Sequence, residues 1–398
     1  MSFDRMWADL APVGRATTGG YRRYAWTAED HTLREWFAGE AVARGLGLVE
    51  DRMGNQWAWW GDPDADGPGV VIGSHLDSVP DGGAYDGPLG VVSAFAALDA
   101  LRDSGFRPAR PIAVVNFGDE EGARFGVACA GSRVITGAMT ADRALGLTDG
   151  DGVTMAEALR HAGRAPETLG RDDETLRRIG QFVELHVEQG RALADLDPAT
   201  SAVAVGTDIW PHGRWRLDLP GTANHAGTTA LADRQDAMLS AAQVVLEARS
   251  AAVAGGCVAT TGKVEVEPGG VNAIPSHVRL WLDARGADQN AVRATVSAVA
   301  EVVHRLGGTL REESWTDTTR FDTDLAGRLR TALGADTPML GTGAGHDAGV
   351  LATAGTPTAM LFVRNPTGVS HSPAEFAERD DCLRGVDALT TVVRDLAS

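Results

Sequence analysis

The sequence predicts an α/β protein built on a mainly parallel sheet, with a smaller α+β unit inserted into it. Short apolar runs of buried-strand type at residues 70–72, 112–117, 182–185 and 358–363 alternate with helix-like stretches. Alternation of this kind indicates a parallel sheet covered by helices. The middle of the chain breaks the pattern: two long helical stretches lie among strands of alternating polarity, and the sheet-type pattern resumes afterwards. The expected organisation is a discontinuous main domain, residues 1–207 and 316–398, with a second domain at 208–315.

Taken in order, Thr27 followed by Asp30 resembles a capping box and starts an amphipathic helix over 31–44. The run at 70–72 is a strand, 90–101 a helix, and 112–117 and 182–185 are strands. In the middle, 215–219 alternates as a strand, 231–250 is a long Ala-rich helix, 257–266 and 277–284 alternate again, and 291–306 is helical. The run at 358–363 closes the pattern.

Composition narrows the function classes. The 398 residues are 43% hydrophobic and 23% charged, which excludes a largely disordered chain. With 54 acidic against 36 basic residues the net charge is −18, an unfavourable balance for nucleic acid or an anionic membrane surface. Three cysteines without a CxxC pair suit a reducing compartment. The opening residues are acidic and mixed, and no apolar run is expected to approach the ~18–20 residues that span a bilayer, so a cytoplasmic protein is expected.

The ten histidines are more informative. His75 stands in GSHLDS directly after the strand at 70–72, with Asp77 two residues on to accept its second ring N–H, and Asp86 follows in a glycine-rich loop. Glu120 and Glu121 stand in NFGDEEG after the strand at 112–117, where one carboxylate can hold a cation while its neighbour moves a proton. His186 ends the strand at 182–185, and His371 follows the last strand in GVSHSPAE. Each alone reads equally as a core histidine or a surface carboxylate. Together, three histidines and two carboxylates follow four strands of one sheet, at the edge where α/β proteins place their sites. An N/O donor set without cysteine suits zinc or another first-row divalent ion.

The motifs GSHLDSVPDGGAYDGPLGV, FGDEEGARF, ELHVEQG, GTANHAGTT, GGVNAIP, GAGHDA and GVSHSPAE cover nearly the whole chain. In this order they resemble the amidohydrolase branch of the M20 metallopeptidase family, the N-carbamoyl-L-amino-acid hydrolases and allantoate amidohydrolases. The resemblance implies a zinc-peptidase-like catalytic domain and an inserted lid and dimerisation domain. It implies two divalent metal ions per subunit, zinc first, with manganese, cobalt or nickel as alternatives. Asp86 would bridge them, with His75 and His186 on one ion and Glu121 and His371 on the other. Glu120 would be the general base and Asp77 its catalytic neighbour behind His75. His225 would polarise the scissile carbonyl, reaching across a homodimer, although alone it reads as a helix-cap residue. Gln189, Asn272, Arg285 and His346 would contact a small-molecule substrate. Arg364 and Asn365 depart from the family's pattern, and an arginine near His371 would favour an anionic substrate group. The implied reaction is hydrolysis of a linear amide, an N-carbamoyl or ureido group on a small carboxylic acid. The alternatives are an M20-type aminoacylase or dipeptidase and a non-catalytic metal-binding protein.

Overall fold

The structure, a computed structural model, describes residues 2–398. Its strands are β1 (Gly47–Glu50), β2 (Gln56–Trp60), β3 (Gly69–His75), β4 (Ile112–Phe117), β5 (Ile179–Val187), β6 (Val203–Ile209), β7 (His212–Pro220), β8 (Asn224–His225), β9 (Val258–Glu267), β10 (Ala273–Ile274), β11 (His277–Arg285), β12 (Thr309–Thr316), β13 (Thr319–Arg320), β14 (Met339–Thr342) and β15 (Thr358–Val363). Contacts divide the chain into two units, Met1–Asp208 with Arg320–Ser398, and Ile209–Thr319.

The first unit holds a nine-stranded sheet in the order β1-β2-β4-β3-β5-β15-β6-β13, with β14 on β6. Its four centre strands, β4, β3, β5 and β15, are parallel to one another and are the four apolar runs read from the sequence. β3, β4 and β15 are buried at every residue, as expected for strands covered on both faces. β2 and β6 flank them antiparallel. The helix Pro88–Asp103 packs Val91, Phe95, Leu98 and Leu101 into one core with Ile72, Val114, Leu185 and Leu361. The helix over 28–43 starts where the sequence places it: the Thr27 side chain accepts from the Asp30 N–H. The reciprocal bond goes one residue further back, from the Trp26 N–H to Asp30.

The second unit is a four-stranded antiparallel sheet, β12-β7-β11-β9, packed against the helices Ala237–Gly255 and Gln289–Arg305. The long helix starts six residues later than the sequence reading, because the Asp236 side chain caps it by accepting from Met238 N–H at 2.9 Å. Residues Leu231–Asp233 form a separate 3-10 turn. The sequence reading also lacks β12, which pairs with β7. Among the described residues, only Ala237–Gly255 is long and apolar enough to cross a membrane, a span the sequence reading did not single out. That helix buries Ala237, Ala241, Val244 and Ala248 in the core of the second unit.

Gly73 in the middle of β3 has φ +143, and a Cβ there would overlap the Val115 carbonyl on β4. Gly73→Ala is expected to destabilise the fold by about 1–3 kcal/mol, the usual cost of overpacking. Urea unfolding would show this as a lowered midpoint with an unchanged slope.

Candidate metal centre

The parallel centre of the sheet delivers its side chains to one edge. His75 is the last residue of β3 and aligns with Phe117, the last of β4. His186 on β5 aligns with Phe362 on β15. The segments that follow carry Asp86, Glu120, Glu121 and His371.

These residues converge on the Asp86 carboxylate. The Nε2 of His75 lies 3.6 Å and that of His186 3.1 Å from Asp86 Oδ1. The Nε2 of His371 lies 3.2 Å from Asp86 Oδ2 and 3.6 Å from Glu121 Oε2. Two donor groups thus share Asp86, one with His75 and His186 and one with Glu121 and His371. The His186 Nδ1–H is directed at the Val187 carbonyl at 2.9 Å, and the His75 Nδ1–H at the Asp77 carbonyl at 3.2 Å. In those tautomers each Nε2 turns a lone pair toward a carboxylate. Both Nε2 atoms are buried without a hydrogen-bond partner. Lone pairs facing an anion in a dry site need a proton or a cation between them. The residues present therefore fit divalent ions, by donor type as well as by geometry.

Asp77 faces His75 and also holds the glutamate loop. Its carboxylate is 3.4 Å from His75 Nδ1, but it also accepts the backbone N–H groups of Glu120 at 3.2 Å and Glu121 at 3.0 Å. It holds the loop that presents both glutamates. The same loop is paired from the other side, where the Cys129 N–H donates to the Glu120 carbonyl and the Cys129 thiol reaches Glu120 Oε1 at 3.3 Å. Gly87, with φ +84, closes the Asp86 turn against the His75 ring, where a Cβ would clash.

Burial and charge set the protonation. Burial pushes the Glu120 carboxyl well above the usual range, and the charges of Asp347 and Glu121 add to it. Glu121 is pushed up to about 7 by burial and then by Asp86. Asp86 goes the other way: against burial, the charge of the adjacent His186 first, then the approach of His371 and His75, hold it well below the carboxylate range. His371, half exposed, is raised to about 9, first by its hydrogen bond to Asp86.

The other expected site residues fall in three places. Gln189 donates to Asp86 Oδ2 at 2.9 Å and lies 3.3 Å from both Ser370 Oγ and His371 Nε2, while its Oε1 has no partner. His346 is buried with its ring 4.5 Å from that of His186 and its Nε2 without a partner. In the second unit, His225 and Asn272 are neighbours: β8 pairs with β10, and the Ala226 N–H donates to the Asn272 carbonyl at 2.9 Å. The Gly227 N–H donates to His225 Nδ1 at 3.0 Å, so the ring proton sits on Nε2 of an exposed imidazole. Arg285, at the end of β11, grips Asp283 through Nε at 2.7 Å and Nη2 at 2.9 Å. Arg364 corrects the expectation of an anion-binding arginine. Its guanidinium holds the Leu193 and Ala194 carbonyls and Asp381, and so acts as a strut.

The sequence reading missed Glu184, Asp347 and Cys129. Glu184 is buried, accepts from Ser74 Oγ at 2.7 Å and Ala348 N–H at 3.1 Å, and forms a third group with His186 and His346. Its signal was present, since residues i and i+2 of a strand share a face. Asp347, which accepts from Ser132 and is pushed up to about 8 by burial and then by Glu184, and Cys129 carry no local signal.

A family model described as peptidase family M20/M25/M40 matches residues 71–395. The chain belongs to that family. Among its relatives, an N-carbamoyl-L-amino acid amidohydrolase from Geobacillus stearothermophilus is 35% identical, over 99% of this chain and 98% of its own. A ureidoglycolate hydrolase from Arabidopsis thaliana is 30% identical, over 98% of this chain and 85% of its own. The crystal structure of an amidase of the hydantoinase/carbamoylase family from Burkholderia multivorans matches with a TM-score of 0.86 and 30% identity, over 99% and 98%. Family members thus share this mixed α/β fold over the full length.

With cations removed by a chelator, the His371 ring is expected to titrate near 9, against about 6.5 for a free imidazole. Because the folded value is raised, the stability its pairing contributes is complete below about 6.5 and is lost as pH rises through about 9. Proton NMR of the imidazole signals, with His371→Asn for assignment, measures this directly. A midpoint near 6.5 would contradict the pairing with Asp86.

Proposed function

We propose that this protein hydrolyses the linear amide of an N-carbamoyl or ureido group carried on a small carboxylic acid, such as an N-carbamoyl-L-amino acid or allantoate. The observation that carries the reading is the pair of buried, unpartnered imidazole Nε2 atoms facing Asp86, whose other oxygen is shared by His371 beside Glu121. The substrate class follows the activities for which relatives across the full length are named.

His75, Asp86 and His186 would hold one divalent ion, and Asp86, Glu121 and His371 the second, with zinc the first choice. Bound there, the ions supply Lewis acidity to the amide oxygen and bring the pKa of water toward neutrality. Glu120 takes the proton of the attacking water and returns it to the leaving nitrogen. Asp77 keeps Glu120 and Glu121 in register through their N–H groups. His225, protonated on Nε2, is a donor for the charge that develops on the scissile oxygen. Asn272, Arg285, Gln189 and His346 are the remaining substrate contacts carried over from the resemblance. The Gln189 acceptor and the His346 Nε2 have no partner within the protein. The setting is a reducing, cytoplasmic one, in keeping with three free cysteines.

We also propose a homodimer through the second unit. On the helix Ala237–Gly255 the apolar residues Leu239, Leu246 and Val253 recur every seven positions at 69–70% exposure. They form a stripe of the kind that pairs with its own copy. β9 is an edge strand with exposed Val258 and Val264.

Glu120→Gln is expected to keep its metal content and lose about 10²–10⁴-fold in kcat. Metal analysis with steady-state kinetics checks this, and wild-type turnover would remove Glu120 from the mechanism. A panel of N-carbamoyl, N-acyl and dipeptide substrates at defined zinc, manganese and cobalt loading separates this reading from an aminoacylase or dipeptidase. No hydrolysis of any class by the loaded protein would leave a metal-binding protein. Leu246→Asp is expected to convert the dimer to a monomer in light scattering, and an unchanged mass would move the interface elsewhere.

A further inference from the structure

We infer that Glu375 is a positioning residue that fixes Asp86 from behind, and with it the second cation group; this rests on the two-cation reading above. Asp86 lies in the glycine-rich stretch Gly82-Gly83-Ala84-Tyr85-Asp86-Gly87, ahead of the helix Pro88–Asp103, and no strand ladder holds it. A carboxylate that must serve two donor groups at once needs its backbone held in one place. Glu375 supplies that hold. Its Oε1 accepts the N–H of Tyr85 at 2.8 Å and of Asp86 at 3.0 Å. Its Oε2 accepts from Ser370 Oγ at 2.9 Å, next to His371. One buried carboxylate therefore ties the segment after β3 to the segment after β15, across almost 290 residues of chain.

Two further observations fit this role. Glu375 reaches back through a short turn, with its own N–H donating to the Ser372 carbonyl at 3.0 Å, so its position relative to His371 is set locally. Gly83 lies against it: a Cβ built on Gly83 would overlap the Glu375 carboxylate, and Gly83 has no left-handed φ to explain a glycine there. The glycine leaves room for the glutamate. Glu375 is not among the residues grouped as donors, and its two oxygens are taken up by protein hydrogen bonds.

The test is cation affinity, read by titrating zinc or manganese into the chelator-treated protein against a competing chromophoric chelator, with circular dichroism as the check on folding. Glu375→Ala is expected to weaken the second ion by about 10–100-fold, the usual effect of removing an outer-shell partner. Glu375→Gln keeps an oxygen for the two N–H groups and an amide that can donate to Ser370, so it should stay near wild-type affinity. Gly83→Ala, which displaces Glu375 without deleting it and leaves the backbone conformation accessible to alanine, should reproduce the loss. Wild-type affinity in both Glu375→Ala and Gly83→Ala would overturn the inference, as would a Glu375→Gln protein as weak as Glu375→Ala. If Glu375→Ala does not fold, Gly83→Ala decides alone. A wild-type chain that takes up fewer than two ions would instead overturn the two-cation reading on which the inference rests.

Discussion

The Asp86 carboxylate is the constraint around which this edge of the sheet is organised. Three imidazoles, a glutamine amide and a serine hydroxyl surround it, and Glu120, Glu121 and Glu375 are packed close by. In a dry site such a crowd of carboxylates is costly unless positive charge is present. In the metal-free chain the contact between the His371 ring and Asp86 raises the one and lowers the other. Divalent cations would supply positive charge in the working protein. They would also reverse the local sign within a chain of net charge −18.

The loops that carry the site are held from outside. Segments at the ends of strands are the mobile parts of most α/β proteins. Here the segments after β3, β4 and β15 are tied together by buried carboxylates that accept backbone N–H groups: Asp77 takes those of Glu120 and Glu121, and Glu375 takes those of Tyr85 and Asp86. The segment from Cys129 adds a third tie through the Glu120 carbonyl. Precision in the site thus comes from charge-assisted hydrogen bonds between loops, which a rigid sheet brings within reach.

Much of this was legible in the sequence. The four centre strands were readable because strands buried on both faces are continuous apolar runs. His75, His186, Glu120 and Glu121 were readable as candidates because they stand at or just after those runs. The long helix of the second unit begins later than the sequence suggests because Leu231 and Ala232, which look like its first apolar residues, belong to a separate 3-10 turn, and the helix starts only after the Asp236 cap. The strand β12, TLREESWT, is mostly exposed and highly charged, so it carried no apolar signal.

By itself the sequence determined the fold class, the order of the elements, and a set of nitrogen and oxygen donors at strand ends, because hydrophobic periodicity and residue chemistry are local properties. Only the tertiary structure decided what those side chains touch. It turned Arg364 from a candidate substrate contact into a strut, set Gln189 against Asp86, and engaged Arg285 with Asp283. It also brought Glu184, Cys129 and Glu375 into the site. The physical reason is that hydrogen bonds and ion pairs act over about 3–4 Å, and partners distant in the chain come that close only once the strands have taken their order in the sheet.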